Sequence, residues 1–136
     1  MTNSELIKLA IKAMDNSYSP YSGFKVGAAL LCDNNKAYTG CNIENAAYSP
    51  TNCAERTAFF KAVSEGERHF EKIAIVGGNN GIITDYITPC GVCRQVMREL
   101  CNDDFVIIVA KSENDYKEYS LIELLPQSFG VNMLEG

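Results

Sequence analysis

Cys53-Ala54-Glu55 and Pro89-Cys90-Gly91-Val92-Cys93 are the two stretches that decide how this chain is read. Together they offer three thiols and one carboxylate, each where a helix should begin. Three such ligands close three corners of a zinc tetrahedron and leave the fourth open, which is the catalytic rather than the structural arrangement. Glu55, beside the first thiol, is the candidate for moving protons. A Cys-x-x-Cys pair alone also fits a redox dithiol, but Cys53 supplies a third thiol at an equivalent helix start, and the strand and loop before Cys90 are not thioredoxin-like.

Working outward from Glu55, Ala58, Phe59, Ala62 and Val63 share its helix face, at offsets of 3, 4, 7 and 8. Glu55 thus heads a core-facing stripe, an expensive place for an uncompensated carboxylate, and desolvation there should raise its pKa. The competing reading is a capping box, with Asn52 three residues before Glu55. Around the second stretch, Thr88 and Pro89 read as cap and first helical position, which puts Cys90 and Cys93 on one face of the first turn. The helix N-terminus and Arg94 should favour thiolate over thiol there. Cys93, Val96, Met97, Leu100 and Cys101 continue a buried stripe.

The remaining elements follow from pattern. Residues 2–17 carry helical periodicity behind a Thr2/Glu5 capping box. Residues 24–32 form an apolar strand, 33–36 a hairpin turn and 37–43 the return strand. Residues 72–77 and 104–110 read as buried strands, and 116–119 as a polar edge strand. Ser120 and Glu123 cap a short helix ending before Pro126, and a polar tail closes the chain. Gly77-Gly78-Asn79-Asn80-Gly81 reads as a loop without a phosphate-binding pattern. The order α-β-β-α-β-α-β-β-α places helices on a mixed sheet in one domain, 1–136.

Composition narrows the function. The 136 residues hold 46% hydrophobic side chains, four prolines and a net charge of −5. No basic cluster could follow a phosphate backbone, which argues against a nucleic-acid partner. Apolar runs are far shorter than the ~20 residues that cross a bilayer, and no secretion signal stands at the N-terminus. Six cysteines in such a chain read as reduced thiols and metal ligands, and the expected location is cytoplasmic. His69, the lone histidine, reads as exposed. Cys32, Cys41 and Cys101 read as small buried hydrophobes. Asn42 and Glu44, two apart on an extended segment, suit recognition of sugar hydroxyls.

Cys-Ala-Glu followed after one strand by Pro-Cys-x-x-Cys resembles the signature of zinc nucleobase deaminases. Phe-Lys-Val-Gly-Ala-Ala-Leu-Leu (24–31), Gly-Cys-Asn-Ile-Glu-Asn-Ala-Ala-Tyr (40–48), 52–57 and 89–96 extend the likeness to the small, three-cysteine, homotetrameric class of cytidine deaminases. The resemblance implies a three-layer α-β-α sandwich with a five-stranded mixed sheet. It implies one zinc per subunit on Cys53, Cys90 and Cys93, with Glu55 carrying a proton from water to N3 of cytosine and a second to the leaving amine. Phe24 would contact the nucleoside, Asn42 and Glu44 the ribose hydroxyls, and the Ala54 backbone the pyrimidine. Ala46, Tyr48 and Phe129 would complete the sites of neighbouring subunits. Arg56 would hydrogen-bond the thiolates, whose three charges leave a dication cluster at −1. The implied activity converts cytidine and 2′-deoxycytidine to uridine and 2′-deoxyuridine in pyrimidine salvage.

Overall fold

Three strands of this chain are apolar through their middles, and the computed structural model, which describes residues 1–135, buries both faces of each there. They are β1 (Phe24–Cys32), β3 (Phe70–Asn79) and β4 (Val106–Ser112), flanked at the edges by β2 (Ala37–Cys41) and β5 (Asp115–Ser120). The sheet order is β2-β1-β3-β4-β5, with β3 and β4 parallel and every other pair antiparallel. Continuous apolar runs are what a strand covered on both sides requires. Ala28, Leu30, Ile73, Ile75, Ile107 and Val109 point to one face, and Ala29, Leu31, Ala74, Val76, Ile108 and Ala110 to the other.

Helix α1 (Asn3–Met14) covers the second face through Leu6, Ile7, Ala10 and Met14, and its Thr2/Glu5 capping box is formed. The first face carries α2 (Ala54–Ser64), α3 (Gly91–Leu100) and the short α4 (Leu121–Leu124), which contribute Ala58, Phe59, Ala62, Met97 and Leu121. The result is a three-layer α/β sandwich on a mixed five-stranded sheet. Parallel strands need a crossover, and α3 supplies it between β3 and β4. The starts of α2 and α3 hold the three thiols, Cys53 and Cys90 as caps and Cys93 in the first turn of α3.

The structure departs from the sequence pattern at three places. Helix α3 begins at Gly91 with Cys90 as its cap, not at Thr88 and Pro89, because Cys90 keeps extended backbone angles (φ −68°, ψ 168°). Gly77 and Gly78 belong to β3, in register with Val26 and Lys25. At Gly78 an added Cβ would lie 1.8 Å from the Ile82 carbonyl, so the chain folds back too closely for any side chain. The tail contains α5 (Val131–Glu135). It is strapped to α3 by Arg98, which donates to Ser128 Oγ and Asn132 Oδ1, and by Gln95, which donates to the Phe129 carbonyl.

Helix α2 sits directly on β2 at Gly40, where a Cβ would come within 2.5 Å of the Ala54 carbonyl and 2.6 Å of the Ala58 nitrogen. The expected result for Gly40→Ala is a loss of about 1–3 kcal/mol in urea unfolding, as for other overpacked interiors. Because the helix must move as a unit, activity should fall by more than the lost folded fraction.

Candidate active site

Cys53 and Cys90 are the N-caps of α2 and α3, and neither side chain is spent on capping. Both helix N-termini therefore point their positive ends at the same place, which favours anionic sulfur. The Cys53 and Cys90 sulfurs are 3.7 Å apart, and Cys93, one turn into α3, brings its own to within 4.8 Å of both. Zn–S bonds of ~2.3 Å make the edge of a tetrahedron about 3.8 Å, so this spacing fits a shared metal and is far too long for a disulfide. Cys93 is buried, Cys53 partly buried and Cys90 exposed, so the cluster opens on one side.

Arg56 stands one turn beyond Cys53 and donates from Nη2 to its sulfur at 3.3 Å. Hydrogen bonds from Cys93, Arg56 and Cys90 hold the Cys53 thiol down at about 5. Arg56 Nε is buried and, among the described residues, has no hydrogen-bond partner. The orphan is a donor beside thiols, so what it lacks is negative charge. Ionisation of all three thiols on binding a dication would supply that charge, and the donor set therefore fits zinc. Arg94, expected beside the thiols, instead donates to the Pro89 and Leu124 carbonyls at 2.7 and 2.6 Å. It braces the α3 start mechanically.

Among the described residues Glu55 is the one buried charged side chain, 4% exposed at the head of the α2 core face. Burial pushes its carboxyl up to about 7, the range in which one group can both take and give a proton. It closes no capping box: Cys53 is the cap, and Asn52 Nδ2 donates to Thr57 Oγ1.

A cavity of about 190 Å³ joins these groups, lined by Asn42, Cys53, Ala54, Glu55 and Cys90 together with Val26, Thr51, Asn52, Ile87 and Thr88. It has room for one small ring, below the usual 300–1,000 Å³ of drug-sized sites. An adjoining cavity of about 410 Å³ shares Thr51 and is lined by Tyr21, Ser22, Glu44, Asn45 and Tyr48. Asn42 thus lines the smaller space and Glu44 the larger one, on either side of Thr51. A short ladder through Tyr18, Ile43 and Asn52 fixes their segment to the residue before Cys53.

The structure gathers Cys53, Ala54, Glu55, Arg56, Cys90, Cys93 and Asn42, and places Glu44 and Tyr48 next door. Phe24, half-buried, opens β1, and its carbonyl accepts from Asn42. Ala46 and Phe129 are exposed and line neither cavity. Tyr48 is 77% exposed on a left-handed backbone (φ 61°). His69 is exposed and outside the cluster. Cys32 is buried, while Cys41 and Cys101 are only partly so. Sequence reading missed Thr51, Asn52, Ile87 and Thr88 as wall residues; the first two directly precede Cys53, and the second two are separated from Cys90 by Pro89. The last pair follows Tyr86, whose ring centre has the Lys111 and Lys117 nitrogens at 4.7 and 4.6 Å and whose hydroxyl donates to Asp115.

Comparison with known proteins agrees with this geometry. The family described as "Cytidine and deoxycytidylate deaminase zinc-binding region" matches residues 1–109. Cytidine deaminases of Sporosarcina psychrophila and Halalkalibacterium halodurans are each 48% identical over 129 residues, spanning 95% of this chain and 92% and 95% of theirs. The crystal structure of cytidine deaminase from Burkholderia pseudomallei matches at a TM-score of 0.87 and 44% identity, covering 95% of this chain and 100% of that one. The Mycobacterium tuberculosis cytidine deaminase structure matches at 0.82 and 35%, covering 96% and 98%. With the family match over most of its length, relatives 48% identical over nearly the whole chain and the same fold, the chain belongs to the cytidine deaminase family and is an enzyme of that class.

Proposed function

We propose that this single-domain chain catalyses the zinc-dependent hydrolytic deamination of cytidine and 2′-deoxycytidine to uridine and 2′-deoxyuridine, with release of ammonia, in cytoplasmic pyrimidine salvage. The observation that carries the reading is Glu55: a buried carboxyl near neutral value, at the head of a helix whose cap is one of three converging thiols. Cys53, Cys90 and Cys93 would hold one zinc per subunit, which supplies the Lewis acidity that makes a water nucleophilic near neutral pH.

This chain's residues do the rest. The cap of α2 leaves the Ala54 N–H without a side-chain partner, free to donate to an acceptor on the pyrimidine. Glu55 accepts the proton of the attacking water and delivers it to N3, which makes C4 electrophilic. It then carries a second proton to the amine at C4, which departs as ammonia. Arg56 donates to the thiolates and withdraws the excess charge that three sulfurs place on a dication. Asn42 and Glu44 take the sugar hydroxyls, with Phe24 against the nucleoside.

Assembly as a homotetramer, with Ala46, Tyr48 and Phe129 completing neighbouring sites, is supported by the surface. A non-glycine residue in the left-handed region costs ~1–3 kcal/mol, and Tyr48 bears that while leaving its ring exposed. Phe129, 55% exposed, is likewise held outward. The substrate is a free nucleoside: a net charge of −5 and a carboxylate beside the sugar repel phosphate. No helix among the described residues is long and apolar enough to cross a membrane.

Ultraviolet monitoring of cytidine and 2′-deoxycytidine conversion tests this reading, with cytidine 5′-phosphate, cytosine and a single-stranded RNA alongside. Both nucleosides should turn over, and the other three should be poor substrates. Faster deamination within the RNA than of the free nucleoside would overturn it.

A further inference from the structure

Two serines in the loop between α1 and β1 each give a hydroxyl proton to one member of the Asn42/Glu44 pair. Asn42 Oδ1 accepts the Val26 N–H at 2.9 Å and the Ser17 hydroxyl at 2.5 Å, and Asn42 Nδ2 donates to the Phe24 carbonyl at 2.7 Å. A backbone N–H can only donate and a carbonyl can only accept, so these contacts fix which end of the amide is which. What remains to a ligand is one N–H, a donor. Glu44 Oε1 accepts the Tyr21 and Ser22 N–H groups at 3.0 and 3.1 Å, and Oε2 accepts the Ser22 hydroxyl at 2.5 Å. The Ser22 oxygen also accepts the Phe24 N–H at 3.0 Å, and because an ionised carboxylate can only accept, the single Ser22 proton goes to Glu44. What remains on Glu44 is acceptor capacity only.

The loop and the pair are also joined through the backbone, since Tyr18 N–H donates to the Asn42 carbonyl and Glu44 N–H to the Tyr18 carbonyl, at 3.0 and 2.8 Å. We infer that Ser17 and Ser22 are positioning residues that hold Asn42 as a pure donor and Glu44 as a pure acceptor, so that the site reads a sugar hydroxyl able to accept from one and donate to the other. The inference rests on the proposed role of Asn42 and Glu44 in binding the sugar. It adds a chemical rule: an ether or keto oxygen satisfies Asn42 alone, a hydrogen satisfies neither, and only a hydroxyl satisfies both.

The test compares zinc-loaded Ser22→Ala, Ser22→Thr, Ser17→Ala and Glu44→Ala on cytidine and on 2′,3′-dideoxycytidine. Metal content and melting temperature are measured for each. Loss of a hydrogen bond to a charged group corresponds to about a tenfold effect. Ser22→Ala should therefore lower the cytidine-to-dideoxycytidine ratio of kcat/KM about tenfold, mainly through the KM for cytidine. Ser22→Thr, which keeps the hydroxyl, should restore it, and Ser17→Ala should lower the ratio in the same direction. A Ser22→Ala enzyme impaired equally on both substrates, or on neither, overturns the inference. If Glu44→Ala keeps the full preference for cytidine, the sugar-binding role of Glu44 is wrong and the inference falls with it. If Glu44→Ala loses the preference and Ser22→Ala keeps it, the inference alone falls.

Discussion

Glu55→Gln is expected to retain zinc and fold while losing turnover by about 10³- to 10⁴-fold, the size of a lost general acid–base. The amide occupies the same volume but can neither take the water proton nor deliver one to N3, and among the described residues no second carboxylate lines that cavity. Stability should move the other way. Burial raises the Glu55 carboxyl to about 7 in the folded chain, against 4.5 for the unfolded one. A raised value contributes stability that is complete below about 4.5 and is lost as pH rises through about 7. Glutamine does not titrate, so the variant's advantage over the parent should be absent near pH 4 and reach about 3 kcal/mol at pH 8. Melting curves on chelated protein check this, because a dication beside the carboxyl pulls its value back down. Turnover retained with metal in place would remove Glu55 from the mechanism, and a variant less stable at pH 8 would refute the burial cost.

Such a trade of stability for chemistry is where local sequence rules should fail, and here they fail in an orderly way. The apolar runs of β1, β3 and β4 were legible because both faces of each are covered. The thiols were legible because their residue types have few other uses at helix starts. The sheet order was not, since β1 pairs with β3 across a hairpin and a helix, and no local pattern encodes that contact. The start of α3 misled because Pro89 normally occupies the first helical position, whereas here Cys90 caps the helix with its sulfur turned to Cys53. Arg94 misled for a related reason: sequence adjacency to thiols said nothing of the Pro89 and Leu124 carbonyls that claim its guanidinium. Ser17 and Ser22 carried no signal at all. Their partners are more than 20 residues away in the chain, and only the ladder through Tyr18 brings them together.

Cys53→Ala is expected to abolish both metal and activity, taking zinc from one per subunit to near zero by atomic absorption. Two effects reinforce each other in this variant. It removes one of the three thiols that gather among the described residues to form the proposed ligand set, and it removes the sulfur that Arg56 now pairs with at 3.3 Å. The guanidinium is then left without that sulfur, and its uncompensated charge repels a dication instead of helping to hold one. Chelation should therefore lower the melting temperature of the parent, because a metal that binds only the folded state stabilises it, and should leave Cys53→Ala unmoved. Arg56→Gln separates the two effects. With all three sulfurs present it should keep a metal-to-subunit ratio near one, yet lose kcat, because the surplus charge on the cluster is no longer withdrawn. A metal-free Cys53→Ala enzyme that still deaminates cytidine would sink the assignment of the thiols. An Arg56→Gln enzyme with parental kcat would show that charge on sulfur does not limit the reaction, and would leave Arg56 as a brace for the α2 start alone.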